Sequence, residues 1–379
     1  MGFTLVPVTN APSPGSGGNG WSSIACSADG TKLVISGYFG GIYTSTNSGA
    51  TWISNAAPVN HWHSLACSAD GTRMAATTWE GNGQVWTNSG TTWYPTASPT
   101  ASIASYENIA CSTDGTKLVT AAAISPYHYV FTSPDSGTTW NQANVPNNLS
   151  YYAVASSADG TKLAVFVENA NVMYTSPDSG TTWVSNAIPT FNWIAASSSA
   201  DGSKLVAVAF DGGSYRSADS GTTWVSNNVS GASWYTVASS SDGNSIIALE
   251  GGPYYTTTNF GQNWISNSSP ALVLEVAACS TNATKGYMAG FTGTFTSPIP
   301  ILYSFAPVVT PPQLSLLSSN SQYAIAWPSS VTGFQLQQNT NLSAANWSNV
   351  TSPVVLSNGM NEVLVSPTNA STFYRLISQ

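Results

Sequence analysis

The chain has 379 residues, only 6% of them charged, and a formal net charge of −8 at pH 7. That length holds one large domain and one small one. The acidic balance argues against nucleic acid and anionic membranes as partners, and no segment is long and apolar enough to span a bilayer.

Taken in order, the first element is the strand Phe3-Thr4-Leu5-Val6-Pro7. Beyond it two turn strings alternate. The first is an Asp-Gly pair between apolar runs, at Asp29, Asp70, Asp114, Asp159, Asp201 and Asp242, with successive copies 41, 44, 45, 42 and 41 residues apart. Asp-Gly predicts a hairpin, because Gly takes positive φ without penalty and Asp bonds its own backbone. A worn seventh copy keeps the register, with Asn282 in place of Asp. The second string is Ser-x-Asp-x-Gly-x-Thr-Trp, cleanest at Ser133–Trp140, Ser176–Trp183 and Ser217–Trp224, with looser copies ending at Trp52, Trp93 and Trp264. It predicts a second hairpin whose Trp packs inward. A fixed period of this size with four short strands reads as radially repeated sheets, a β-propeller.

The second string resembles the Asp-box (BNR) repeat of sialidase-like propellers over roughly residues 3 to 300. In that family the turn holds a blade together and lies opposite the active face. The last unit has three strands, and Phe3–Pro7 has the look of the missing outer one. The fold expected is therefore all-β: a seven-bladed propeller over 1–306 closed by its N-terminal strand, a Pro-rich linker over 307–312, and a small C-terminal β-sandwich over 313–379. The stretch from Phe334 through Trp347 resembles sandwich modules that end many secreted proteins of verrucomicrobial type, and Trp327 and Trp347 read as core. The chain starts almost directly in a strand. With few charges and many Ser, Thr and Asn, it reads as a secreted or extracellular bacterial protein whose leader has been replaced by a start codon.

The four cysteines, Cys26, Cys67, Cys111 and Cys279, hold one equivalent position on the innermost strands of blades 1, 2, 3 and 7. Sheets packed about 10 Å apart cannot bridge such positions, so free buried thiols are expected rather than disulfides or zinc.

Strands are lettered a to d from the channel outward. The d-to-a and b-to-c connections then share one rim, away from both turn strings. Eight residues before each Asp of the first string stands a large residue: Trp21, Trp62, Tyr106, Tyr151, Trp193 and Trp234, with Leu274 in blade 7. These aromatics are either packing between blades or a platform for sugar rings. The same rim collects Glu80, Glu107, Glu168, Asp211, Glu250 and Glu275, the aromatics Trp79 and Tyr127, and all three histidines, His61, His63 and His128. Most lysines fall in the opposite turns.

Carboxylates among aromatics suit carbohydrate work. Glycoside hydrolysis needs two carboxyl groups, roughly 5 to 10 Å apart. Glu80, Glu168, Asp211 and Glu250 are the catalytic candidates; Trp21, Trp62, Trp79, Tyr106, Tyr127, His128, Tyr151, Trp193 and Trp234 are the ligand-binding ones. No cofactor is called for, although a divalent cation could sit at the acidic face. If the protein is an enzyme, a glycoside hydrolase fits better than a polysaccharide lyase. Sialidase chemistry does not fit, because Arg73, Arg216 and Arg375 cannot form the arginine triad of that family. The expected function is carbohydrate recognition on the aromatic, acidic face, with hydrolysis as its catalytic form and a glycan or polysaccharide as partner. The alternative is a non-catalytic extracellular structural or adhesion protein.

Overall fold

The computed structural model describes residues 3–14, 20–79, 84–89, 92–96, 105–124, 126–229, 233–268, 273–294, 297–307, 314–319, 322–329, 334–341, 343, 346–357, 359–365 and 372–378. Those residues form strands and turns, and no helix long and apolar enough to cross a membrane is present among them. The chain divides into two compact units, Gly2–Pro307 and Val308–Gln379.

The larger unit holds seven four-stranded antiparallel sheets. Blade 4 shows the pattern: strand a is Tyr151–Ser156, b is Leu163–Val167, c is Ala170–Ser176 and d is Val184–Phe191. Blade 7 is built from both ends of the unit. Its sheet runs Val273–Cys279, Gly286–Thr294, Ser297–Pro307 and then Phe3–Pro7, with Leu5 opposite Phe305. This is the closure by the N-terminal strand that the missing fourth strand implied.

Both turn strings are built as their residues dictate. At the first, Asp159 Oδ1 accepts from the Thr161 N–H (2.9 Å) and Ser157 Oγ (2.6 Å), and Gly160 takes φ 64°. At the second, Asp178 Oδ1 accepts from the Thr182 N–H (2.8 Å), Ser176 Oγ accepts from the Gly180 N–H (2.8 Å), and Trp183 Nε1 donates to Gly180 O (3.0 Å). Side-chain oxygens thus satisfy the backbone donors that a tight turn leaves without partners.

A ring of backbone hydrogen bonds ties the blades at the Asp-Gly end. Ala28 donates to Ala69, Ala69 to Thr113, Thr113 to Ala158, Ala158 to Ala200, Ala200 to Ser241, Ser241 to Thr281, and Thr281 back to Ala28, at 2.6 to 2.9 Å. Lys32, Arg73, Lys117 and Lys204 lengthen four of these joints by donating to the carbonyl of the next blade's Asp, at Asp70, Asp114, Asp159 and Asp242 respectively. Lys32, Lys117 and Lys204 are therefore fasteners between blades, and Lys285 joins blade 7 to blade 1 through Ser48 Oγ (3.2 Å).

The core is seven separate apolar clusters, one per blade interface. Between blades 4 and 5, for example, Ala155, Phe166 and Met173 meet Trp193, Leu205 and Ala207. The four cysteines are free, and burial pushes the thiols of Cys67, Cys111 and Cys279 up to about 12.

The smaller unit pairs a four-stranded sheet, in the order Ser315–Ser319, Gln322–Pro328, Met360–Val365, Val354–Ser357, with a three-stranded one, Ser348–Asn349, Phe334–Asn339, Phe373–Ser378. Ile325, Trp327, Leu336 and Val363 form its core. Trp327 is core, as its sequence context suggested. Trp347 instead lies under the Arg375 guanidinium, 4.5 Å from its ring centre.

Candidate functional site

The ring of aromatics is packing. Trp62, Tyr106, Tyr151 and Trp193 are 0% exposed, Trp234 is 1% and Trp21 is 2%. Each belongs to the cluster at its own blade interface, and Leu274 fills the seventh place. A sugar cannot stack on a face already covered by the neighbouring blade. These six positions are therefore corrected from ligand contacts to structural wedges.

What the wedges do is position the residue after them. The pairing of strands a and b shifts register just past the wedge in six blades, at Trp21/Ser23, Trp62/Leu65, Tyr106/Ile109, Tyr151/Val154, Trp193/Ala195 and Leu274/Val276. Such a bulge leaves one or two residues out of the ladder and re-aims their side chains. The residues released include Ser22, His63, Asn108, Tyr152, Ile194 and Glu275, and these line a cavity of about 710 Å³ at the channel mouth. Tyr38, Phe210 and Tyr235 add aromatic surface to it.

The polar groups there form a defined set. His63 Nε2 and the Tyr152 hydroxyl are 3.1 Å apart, and His63 Nδ1 lies 4.0 Å from Glu107 Oε2. Ser105 Oγ donates to Glu107 Oε1 (2.9 Å), while Oε2 accepts no hydrogen bond. Glu107 is 6% exposed; burial, and then the charge of Glu168, push its carboxyl up to about 7. Burial holds His63 down at about 4, so the imidazole is neutral at neutral pH. Burial, with the charges of Glu107 and Glu168, raises the Tyr152 phenol, which therefore keeps its proton. Asn108 Nδ2 donates to Tyr152 O (3.2 Å) and Ile194 O (3.3 Å), which leaves its Oδ1 as the unused end. Glu275, in blade 7, is raised to about 7 by burial alone.

The catalytic candidates do not come together as one group. Glu80 lies outside the described residues. Glu168 Oε2 accepts from Ser150 Oγ (2.7 Å), and its charge reaches Glu107, Tyr152 and His128. Asp211 is exposed and its Oδ1 accepts from the Asn192 N–H (3.1 Å), closing a turn in blade 5. Glu250 bonds Tyr255 within blade 6. Trp79 is half-buried, 5.1 Å from the His61 ring and 6.1 Å from His63. Tyr127 is 47% exposed at the start of strand c of blade 3, and its neighbour His128 is half-buried, with its pKa lowered by burial. Among the described residues no three His, Cys, Asp or Glu side chains converge to hold a metal.

The central residues of the site, His63, Asn108, Tyr152 and Glu275, were absent from the sequence-based candidate set, as was Glu107. The signal was present in the repeat: each follows a wedge by one or two positions. Locating the bulge that turns them inward required coordinates.

No protein-family model and no curated protein matches the chain. Among solved structures it is similar to YCF48 from Cyanidioschyzon merolae, with a TM-score of 0.58 at 15% identity over 82% of this chain and 100% of that one. A structure described as YCF48 bound to D1 peptide gives 0.56 at 12% identity, covering 79% and 96%. The β-propeller domain of Cps50 (Swd1) from Myceliophteria thermophila gives 0.60 at 13% identity, covering 76% and 98%. These likenesses establish the propeller fold.

Proposed function

We propose that the protein is a secreted, carbohydrate-recognising propeller of the Asp-box type, and that it holds its ligand in the channel mouth without cleaving it. The observation that carries this reading is the make-up of the cavity. Amide, hydroxyl and carboxyl groups from different blades converge on it, interleaved with the rings of Tyr38, Phe210 and Tyr235. Few convergent polar groups among apolar faces fix a polyhydroxylated ligand in orientation.

No Lys or Arg is among the described residues that line the cavity. Of the eight Lys and Arg residues, Lys32, Arg73, Lys117, Lys162, Lys204 and Lys285 stand in the first turn string, Arg216 bonds Asn227 and Gly261, and Arg375 bonds Gln337. Sialic acids and uronates are disfavoured accordingly. Recognition is favoured over hydrolysis because Glu275 is the one carboxyl among the described residues that line the cavity, whereas both glycosidase geometries need a pair.

The test is glycan-array binding with wild type, Asn108→Ala, Glu275→Gln and Asp211→Asn. Binding that falls about tenfold in the first two variants and persists in Asp211→Asn supports the reading. Binding indifferent to both cavity variants refutes it. The second reading is a non-catalytic extracellular interaction protein that takes a peptide at the same mouth, which the peptide-bound YCF48 structure favours. It predicts peptide-array hits and an empty glycan array.

A further inference from the structure

We infer that the sugar held in the channel mouth carries free amino groups: a deacetylated hexosamine polymer rather than a neutral or acidic glycan. The inference deepens the carbohydrate reading and rests on it.

The argument is a balance of donors and acceptors. The strongest polar groups left over at the cavity are acceptors. Glu275 lines it and makes no hydrogen bond or ion pair with any described residue. Its Oε2 lies 2.9 Å from where a Cβ on Gly20 would stand, so the wall on that side is backbone kept bare for the carboxyl. Asn108 has spent both N–H groups on backbone carbonyls and presents Oδ1. Glu107 is more than nine-tenths buried, and its Oε2 accepts nothing. It does not itself line the cavity but lies behind His63, a ring of the cavity wall, so Glu275 is the carboxyl a ligand meets.

These carboxyls have no counter-charge. No Lys or Arg is among the described residues that line the cavity, and His63 is held neutral. Burial without a cation raises Glu275 to about 7, so it is partly protonated at neutral pH, and a ligand that brings its own ammonium draws it into the carboxylate form and pairs with it. The rings of Tyr38, Tyr235 and Phe210 favour the same ligand, because an ammonium is attracted to an aromatic face. A neutral sugar would supply donors but no charge. A uronate would add repulsion. An N-acetylated hexosamine would present a bulkier amide in place of the charge.

The test is calorimetric titration of the intact protein with three tetramers: glucosamine, N-acetylglucosamine and glucose. The glucosamine tetramer is expected to bind about tenfold or more tighter than the other two. The advantage should shrink at high salt, as charge pairing does. In Glu275→Gln it should fall to near parity, while Glu275→Asp keeps part of it and shows that the site still forms. Equal or tighter binding of a neutral tetramer overturns the inference and leaves the carbohydrate reading standing. A preference for glucosamine unchanged in Glu275→Gln also overturns it. Binding of none of the three also overturns the inference, while the glycan array decides the carbohydrate reading separately.

Discussion

The assignment of the aromatic ring to packing is open to a direct test at Trp193. Its side chain is fully buried between blades 4 and 5, with Phe191, Tyr215 and Phe166 rings at 5.5, 5.8 and 6.1 Å, and its Nε1 donates to Pro189 O at 3.2 Å. Burying a Trp removes about 150–250 Å² from water, which at roughly 25 cal/mol per Å² is about 4–6 kcal/mol. Alanine keeps a small part of that, and measured Trp-to-Ala truncations in cores cost about 3–5 kcal/mol. Trp193→Ala should therefore lose about 4 kcal/mol, a large share of the 5–15 kcal/mol that a domain typically has. The assay is urea denaturation followed by tryptophan fluorescence and far-UV dichroism, with Trp193→Phe as a control that keeps an aromatic wedge and loses less. At temperatures where the Ala variant is folded, its glycan affinity should fall far less than its stability, because Trp193 acts on the cavity only through its neighbour Ile194. A variant that melts within about 0.5 kcal/mol of the parent yet loses its ligand would refute the packing assignment.

Two further outcomes follow from the buried titratable groups. Burial raises Glu107 to about 7, above the 4.5 of a free glutamate, so the native state binds the proton more tightly than the unfolded one. Its contribution to stability is full below about pH 4.5 and is lost as pH rises through about 7. Glu107→Gln should thus match the parent near pH 5 and exceed it near pH 8 by on the order of 2 kcal/mol, read from thermal melts; parallel pH curves would contradict this. The thiols of Cys67, Cys111 and Cys279 should resist iodoacetamide in the native protein and react fully in denaturant, read by mass spectrometry. Rapid native labelling would show that the innermost strands open readily.

Much of the architecture was legible because the turn chemistry is local. An Asp that must accept its own backbone and a Gly that must take positive φ announce each hairpin in four or five letters, and the spacing then counts the blades. Even the seam was readable, from the strand that the last repeat lacks. The site was legible only as a rim. Trp62 and Trp193 look alike whether they face a sugar or a neighbouring sheet, since an indole serves both. The residues that matter, such as His63 and Tyr152, reach the channel through a one- or two-residue slip in strand pairing, and no residue type marks that slip. Asp211 and Glu250 were drawn in by their charge and their place on that rim, and each is occupied within its own blade.

The seam has a consequence for biogenesis. Leu5 pairs with Phe305, so the earliest-made strand of the propeller is completed by nearly the last segment of its unit. At about 5–20 residues per second, the roughly 300 intervening residues take about 15–60 s to synthesise. Through that interval an apolar strand made early must wait without its mate, able to meet the same strand of a neighbouring nascent chain. Polysomes are where this protein is most at risk of exchanging its opening strand with a sibling, and a dimer formed that way would be fully paired and hard to undo.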